Sequence, residues 1–355
     1  MFERAQRVLE KVGAKQACLF TREENMAYLS GYTGEGAVLI AQDYYAIITD
    51  FRYVEQAGQQ APGFEVLETS RECGQNAWIA KILASRGIES LCCETDHLSH
   101  DAFSALEKAL DGVALASCPV NLQHIRAVKS EEEIAFIRKA AQITDDAFAY
   151  LLTKVEPGMT ELNLVALLYQ YFLDHGAQGF SFSPIVASGE NSSLPHAIAG
   201  NRVIRRGDLI TFDIGCKVGG YCSDFTRTIA VGQVDPELER IYGIVLEANL
   251  RGLKSVRPGV KGKEVDAACR DFIAENGYGP QFGHSTGHGV GLEIHELPRL
   301  SVISEQVLEP GMIVTVEPGI YLPGKGGVRI EDLVLVTKDG CEVLSHAGKE
   351  FLVLG

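Results

Sequence analysis

Two segments of this chain put acidic residues inside apolar strand–turn–strand sequence, and any fold it adopts must accommodate both. In the first, DLITFDIG (208–215) runs into the turn Lys217-Val218-Gly219-Gly220, and YCSDFTRTIAV (221–231) returns. With the turn centred between Val218 and Gly219, Asp213 and Asp224 lie opposite one another, each 5.5 positions from the centre. In the second, MIVTVEPGIYL (312–322) is followed by the turn 323–327, and VRIEDLVLV (328–336) returns. Centred on Gly324, this hairpin opposes Glu317 and Glu331, each seven positions away. Like charges facing each other across a strand pair repel. Buried carboxylates repel harder unless one takes up a proton. A metal ion between them removes the conflict. The registers rest on turn symmetry, and a slip would change the pairing.

The two hairpins belong to a weak internal repeat. VEPGMTELNLVALLYQYFLDHG (155–176) is similar to VRPGVKGKEVDAACRDFIAENG (256–277), and RGDLITFDIG (206–215) to PGMIVTVEPG (310–319), at offsets of 101 and 104 residues. Each copy is a Pro-Gly turn, an amphipathic helix with a closing Gly, and then a hairpin. Repeats of this kind predict an α+β domain with internal pseudo-twofold symmetry and a site between its halves. Residues 1 to about 118 differ. Strand-like runs at 17–20, 37–41, 45–49, 64–68, 90–94 and 113–117 alternate with helical patterns at 4–12, 51–58, 76–86 and 100–110, the signature of an α/β layer domain. A polar connector around 119–129 separates the halves. Ser130 and Glu133 then open a long helix as a capping box, with Ile134, Ile137, Ala141 and Phe148 at helical spacing. These patterns divide the chain into domains 1–124 and 125–355.

Between the hairpins lies GHSTGHGVGLEIHELPR (283–299), which holds three of the nine histidines: His284, His288 and His295. Beside four inward carboxylates these histidines point to a functional cluster. His97, His100, His124, His175 and His346 have no such company and read as structural. Four carboxylates and one imidazole are too many donors for one tetrahedral zinc. They suit two divalent ions sharing carboxylates. Oxygen-rich ligation favours manganese, with cobalt, zinc or iron as alternatives. Two ions about 3.5–4 Å apart can hold a hydroxide between them and polarise a carbonyl, which is hydrolase chemistry.

Composition closes off other classes. A net charge of −15 speaks against a nucleic-acid partner. No apolar run has the roughly 20 residues of a membrane span, and the N-terminal sequence lacks the apolar core of a secretion signal. Nine cysteines without scaffold spacing read as buried thiols of a cytoplasmic protein.

The motifs LPHA (194–197), TFDIG (211–215), SDFTRT (223–228), GHGVG (287–291), HELPR (295–299), VEPG (316–319) and VRIED (328–332) together resemble the pita-bread metallopeptidases. The match is to the branch of Xaa-Pro dipeptidases (prolidases) and aminopeptidase P. ENMAYLSGY (24–32) and TDFRYVEQA (49–57) resemble the creatinase-type N-terminal domain that accompanies them.

The resemblance implies metal ligands at Asp213, Asp224, His288, Glu317 and Glu331, with Asp224 and Glu331 bridging. It implies proton shuttling by Glu317, stabilisation of the tetrahedral intermediate by His295, and substrate contact or proton transfer by His196. His284 and Arg329 match supporting positions, Arg329 beside a carboxylate and close to substrate. Arg299 matches an arginine placed to clamp a dipeptide's free carboxylate. The implied reaction is hydrolysis of Xaa-Pro dipeptides by a homodimer. The alternatives are aminopeptidase P-like trimming of longer Xaa-Pro peptides and a non-catalytic pita-bread binding protein. Creatinase lacks the full ligand set, and methionine aminopeptidase ordinarily lacks a domain like 1–124.

Overall fold

The computed structural model describes residues 2–13 and 15–355, in two compact units, one up to Leu122 and one from Gln123 to Gly355. The first unit is a six-stranded mixed sheet with helices. Its strands are β1 (Gln16–Phe20), β2 (Ala37–Ala41), β3 (Tyr44–Thr49), β4 (Glu65–Glu68), β5 (Ser90–Cys93) and β6 (Ala114–Ser117), in the order β4-β3-β2-β1-β5-β6. β2 and β3 are almost wholly buried, so they read as continuous apolar runs. The helices are α1 (Phe2–Leu9), α2 (Glu23–Ser30), α3 (Val54–Gln60), α4 (Gln75–Arg86) and α5 (His100–Ala109).

Three expectations change here. The helix expected over 51–58 begins only at Val54, after a turn at 51–53. The helix expected over 4–12 ends at Leu9. A helix at 23–30 was not foreseen: its mixed sequence EENMAYLS has little amphipathic period, and Gly31 closes it in the left-handed conformation.

The division falls at the first residue of α6 (Leu122–Ala127), and the second unit continues with α7 (Glu131–Leu152). Ser130 and Glu133 form the expected capping box, and Ile134, Ile137, Ala141 and Phe148 are buried. The repeated Pro-Gly segments lead into α8 (Glu161–Asp174) and, after α9 (Pro236–Ser255), α10 (Gly262–Glu275). Strands β7 (Ile185–Ser188), β8 (Leu209–Ile214), β9 (Lys217–Val218), β10 (Tyr221–Cys222) and β11 (Phe225–Val231) form the first hairpin and its neighbour. Strands β12 (Gly287–Gly289), β13 (Glu296–Leu300), β14 (Ile313–Val316), β15 (Gly319–Leu322), β16 (Gly326–Arg329), β17 (Asp332–Val336) and β18 (Cys341–Val343) build the second system. The last strand, β19 (Val353–Leu354), returns beside β11.

Register decides where the carboxylates go. In the second hairpin Val316 pairs with Asp332 and Gly319 with Arg329, so Glu317 and Glu331 are level, as turn symmetry requires. The first hairpin departs from expectation. Val218 pairs with Tyr221, so the turn is centred on Gly219 and Gly220, and Asp213 pairs with Thr226 rather than Asp224. Both glycines have positive φ, 57° and 82°, the two-residue turn whose twist matches the strands. Moving the centre by one residue shifts the pairing by two. Because side chains alternate with period two, Asp224 stays on the face of Asp213, now diagonal to it.

The two hairpins are joined at Glu331. Its backbone N–H donates to the Thr226 carbonyl at 3.1 Å, a bridge between β11 and the break separating β16 from β17. Arg227, fully buried, completes the join with all five donors used. Nε reaches Gly348 O (3.1 Å), Nη1 reaches Thr226 O (2.9 Å) and Glu331 O, and Nη2 reaches Asp332 Oδ1 (2.9 Å) and Ala347 O (2.8 Å). No described helix is long and apolar enough to cross a membrane.

A Cβ at Gly219 would lie 2.6 Å from the Phe136 ring, in a backbone region L residues disfavour. Gly219→Ala is expected to lower unfolding stability by about 1–3 kcal/mol. Urea denaturation would measure it, and an unchanged midpoint would show that another element sets the register.

Candidate active site

Asp213 lies near the end of β8, Asp224 just before β11, His288 in the middle of β12, Glu317 between β14 and β15, and Glu331 between β16 and β17. Oxygens of Asp213, Asp224 and Glu331 lie within 4.8 Å of one another. His288 Nε2 is 3.5 Å from Asp224 Oδ2 and 3.4 Å from Glu317 Oε1, so all five expected donors converge. The His288 backbone sits flat against β14, because glycines flank it and a Cβ at Gly287 would meet the Thr315 carbonyl at 2.0 Å.

Hydrogen bonds orient the donors, Asp224 Oδ1 accepting from the Phe225 backbone N–H at 3.1 Å. Arg329 Nη2 donates to Asp213 Oδ2 at 2.6 Å, and Thr226 Oγ1 to Glu331 Oε2 at 2.6 Å. Thr315 Oγ1 donates to Glu317 Oε1 (3.2 Å) while accepting from the His288 backbone N–H (3.1 Å). His288 Nδ1 donates to the Gly289 carbonyl at 3.1 Å, which leaves Nε2 as a lone-pair donor facing the carboxylates. The two threonines were not singled out in the sequence. Their signal is position: each stands two residues from a ligand candidate, on the same strand face.

Burial dominates the electrostatics. It pushes Asp224 and Glu331 well above the ordinary carboxylate range, helped by their mutual repulsion and by Asp213 and Glu317. Burial and Asp213 raise Glu317 to about 8 against the pull of Arg329. Burial and the adjacent His295 press His288 down to about 3, so it is neutral. Asp213 Oδ1 is buried with no hydrogen-bond partner among the described residues. An orphaned carboxylate oxygen, three clustered acids and a neutral imidazole aimed at them form a donor set that a divalent cation satisfies.

A cavity of about 420 Å³ opens over this cluster. His196, His295 and Arg299 stand exposed at its rim. His295 packs edge-on to His288, ring centroids 4.3 Å apart, and burial followed by Arg299 lowers its pKa. Arg299 is the cross-strand partner of His288, and its guanidinium makes no ion pair among the described residues. His284 is placed differently. Arg329 Nη1 donates to Tyr321 Oη (2.7 Å), so the tyrosine proton goes to His284 Nε2 (2.8 Å), and His284 Nδ1 donates to Ser285 O (2.9 Å). Both ring nitrogens are engaged by the protein, and burial with Arg329 nearby lowers His284 to about 4. Phe182, Ile185, Ile198 and Ile294 give the cavity an apolar wall that the motifs did not mark.

A buried, oxygen-rich donor cluster under an open cleft flanked by histidines and arginines defines a metal-dependent hydrolase. Residues 135–338 match the model of metallopeptidase family M24, and residues 2–128 match that of the creatinase/prolidase N-terminal domain. The chain belongs to family M24, and its second unit has the pita-bread fold. It is 45% identical to the uncharacterized peptidase YqhT of Bacillus subtilis (strain 168), over 95% of each chain. A solved Xaa-Pro dipeptidase from Bacillus anthracis superposes with a TM-score of 0.94 at 45% identity, covering 99% of this chain and 98% of that one. An X-Pro aminopeptidase from Thermotoga maritima MSB8 gives 0.91 at 36% identity, covering 99% and 100%.

The raised carboxylates set a pH dependence for the metal-stripped protein. A group whose folded pKa lies above its unfolded value supports the fold fully below the unfolded value, near 4. That support is lost as pH rises through the folded value, about 8 for Glu317. With chelator present, Tm is therefore expected to fall from about pH 5 to 8 relative to the metal-loaded protein. Calorimetry with and without chelator measures this gap, and a gap that stays constant with pH would contradict it.

Proposed function

We propose that this protein hydrolyses Xaa-Pro dipeptides at a site holding two divalent ions, manganese preferred, with cobalt, zinc or iron as alternatives. The convergence of Asp213, Asp224, His288, Glu317 and Glu331 under one cleft is the observation that carries the reading. Asp224 and Glu331, both buried, would be shared by the two ions, Asp213 would hold one of them, and His288 and Glu317 the other. When bound, such a pair of ions supplies an activated water and a polarised carbonyl. Glu317 accepts a proton from the attacking water and passes it to the leaving proline nitrogen. His295 and His196, on the rim, donate hydrogen bonds to the substrate where negative charge develops. Arg329 holds Asp213 in place, and the doubly engaged His284 orients the wall rather than moving protons. Nine free thiols suit a reducing compartment, and we place the enzyme in the cytoplasm as a homodimer.

Arg299 favours the dipeptide. A planar guanidinium with no ion pair among the described residues, across the strand from His288, matches a carboxylate in two parallel bonds. The competing reading, aminopeptidase P-like removal of a residue from longer peptides, draws on the likeness to the Thermotoga maritima enzyme.

Three outcomes are expected. Elemental analysis after reconstitution with excess manganese gives two ions per chain, and a ceiling of one removes the bridged reading. Asp224→Asn abolishes hydrolysis but leaves the stability of the chelated protein nearly unchanged, since it relieves repulsion as it removes a ligand; strong destabilisation by urea would expose a structural bond of Asp224. Arg299→Ala lowers kcat/KM on Xaa-Pro dipeptides about 10- to 150-fold and much less on Xaa-Pro-Yaa tripeptides. Equal losses would assign the enzyme to the longer-peptide class.

A further inference from the structure

The connector that reads as polar sequence buries two cations. Arg126 and Lys129 are 3% and 5% exposed, and both converge on the carboxylate of Glu296, itself 1% exposed. Arg126 Nη2 donates to Glu296 Oε1 and to Glu293 Oε2 (2.9 Å), and Lys129 Nζ to Glu296 Oε2 (3.3 Å) and the Ala127 carbonyl (3.3 Å). The Lys129 backbone N–H is tied to Gly311 O at 2.9 Å. The two cations thus face the buried carboxylate of Glu296 and the partly exposed one of Glu293, the paired condition under which buried ions are tolerated.

This cluster touches the loop that carries His295. Glu296 Oε1 also accepts from the Glu293 backbone N–H at 3.1 Å, and a Cβ at Gly291 would lie 2.4 Å from Glu296 Oε2. The carboxylate therefore fills the inside of the loop 290–295, between β12 and β13. The outer side of the same loop presents Ile294 and His295 to the cavity, whereas Arg126, Lys129 and Glu296 do not line it. The β12–β13 ladder also shifts register between His288 and Gly289, so strand pairing alone does not set the loop's path.

We propose that Glu296, clamped by Arg126 and Lys129, is a positioning residue that fixes the 290–295 backbone and so holds the His295 imidazole in place beside His288. The activity arm of the test rests on the peptidase reading above; the spectroscopic arm does not. Glu296→Gln preserves volume and an acceptor for Glu293 N–H but removes the charge that holds the cations. In manganese-loaded enzyme it is expected to lower kcat on an Xaa-Pro dipeptide about 10- to 100-fold, with KM and metal content little changed. In a His295→Ala background the same substitution is expected to cost less than about twofold, because the group it acts through is gone. In zinc-loaded protein with labelled histidines, Glu296→Gln is expected to displace the His295 imidazole resonance, assigned by its loss in His295→Ala, while that of the distant His175 stays put. Equal losses in the two backgrounds, or an unmoved His295 resonance, would overturn the proposal. If Glu296→Gln alone is not recovered folded, Glu296→Gln with Lys129→Met removes one cation along with the anion and carries the same comparisons. Absence of Xaa-Pro hydrolysis in the unsubstituted protein would overturn the functional reading, while the histidine spectrum would still decide the positioning claim.

Discussion

The mutual repulsion of buried acids is the constraint around which the second unit is built. Oxygens of Asp213, Asp224 and Glu331 sit within 4.8 Å of one another, with Asp224 and Glu331 buried. An arrangement of that kind is unstable on its own terms, because each carboxylate prefers either a proton or a counter-charge. One counter-charge comes from the chain itself, through Arg329 on Asp213, and hydroxyls of Thr226 and Thr315 each satisfy one oxygen. The lone pairs left over, including that of Asp213 Oδ1, face inward.

Holding such groups together requires a scaffold that cannot relax outward. Two hairpins supply it, and one backbone bridge between Thr226 and Glu331 joins them. Arg227 reinforces this bridge by donating to the carbonyls of both residues and to the Asp332 carboxylate, which Lys349 Nζ also reaches at 2.8 Å. With every donor of its guanidinium engaged, Arg227 is a strut rather than a binding group. The catalytic wall is braced separately, by the cations under Glu296.

Much of this was legible in the sequence because hairpins are local. The Gly324-centred register follows from turn symmetry alone, and it holds from Ile313 to Leu335. In the first hairpin the turn centre lies one residue from the symmetric expectation, since two adjacent glycines permit several turn centres. The shift left Asp213 and Asp224 on one face because strand side chains alternate. Helix α2 escaped notice because its burial comes from tertiary contacts rather than a periodic apolar stripe.

The sequence by itself determined the donor types and their strand faces, since these follow from alternation and turn geometry over about twenty residues at a time. It also carried the motifs of family M24. Only the tertiary structure decided that Glu331 leaves its own hairpin to pair with Thr226, that both nitrogens of His284 are engaged, and that Arg126 and Lys129 are buried beneath Glu296. Each of those joins residues roughly 40 to 170 positions apart, or, for His284, depends on such a joint. Contacts at that range arise when packed elements meet, and no local periodicity in the chain encodes them.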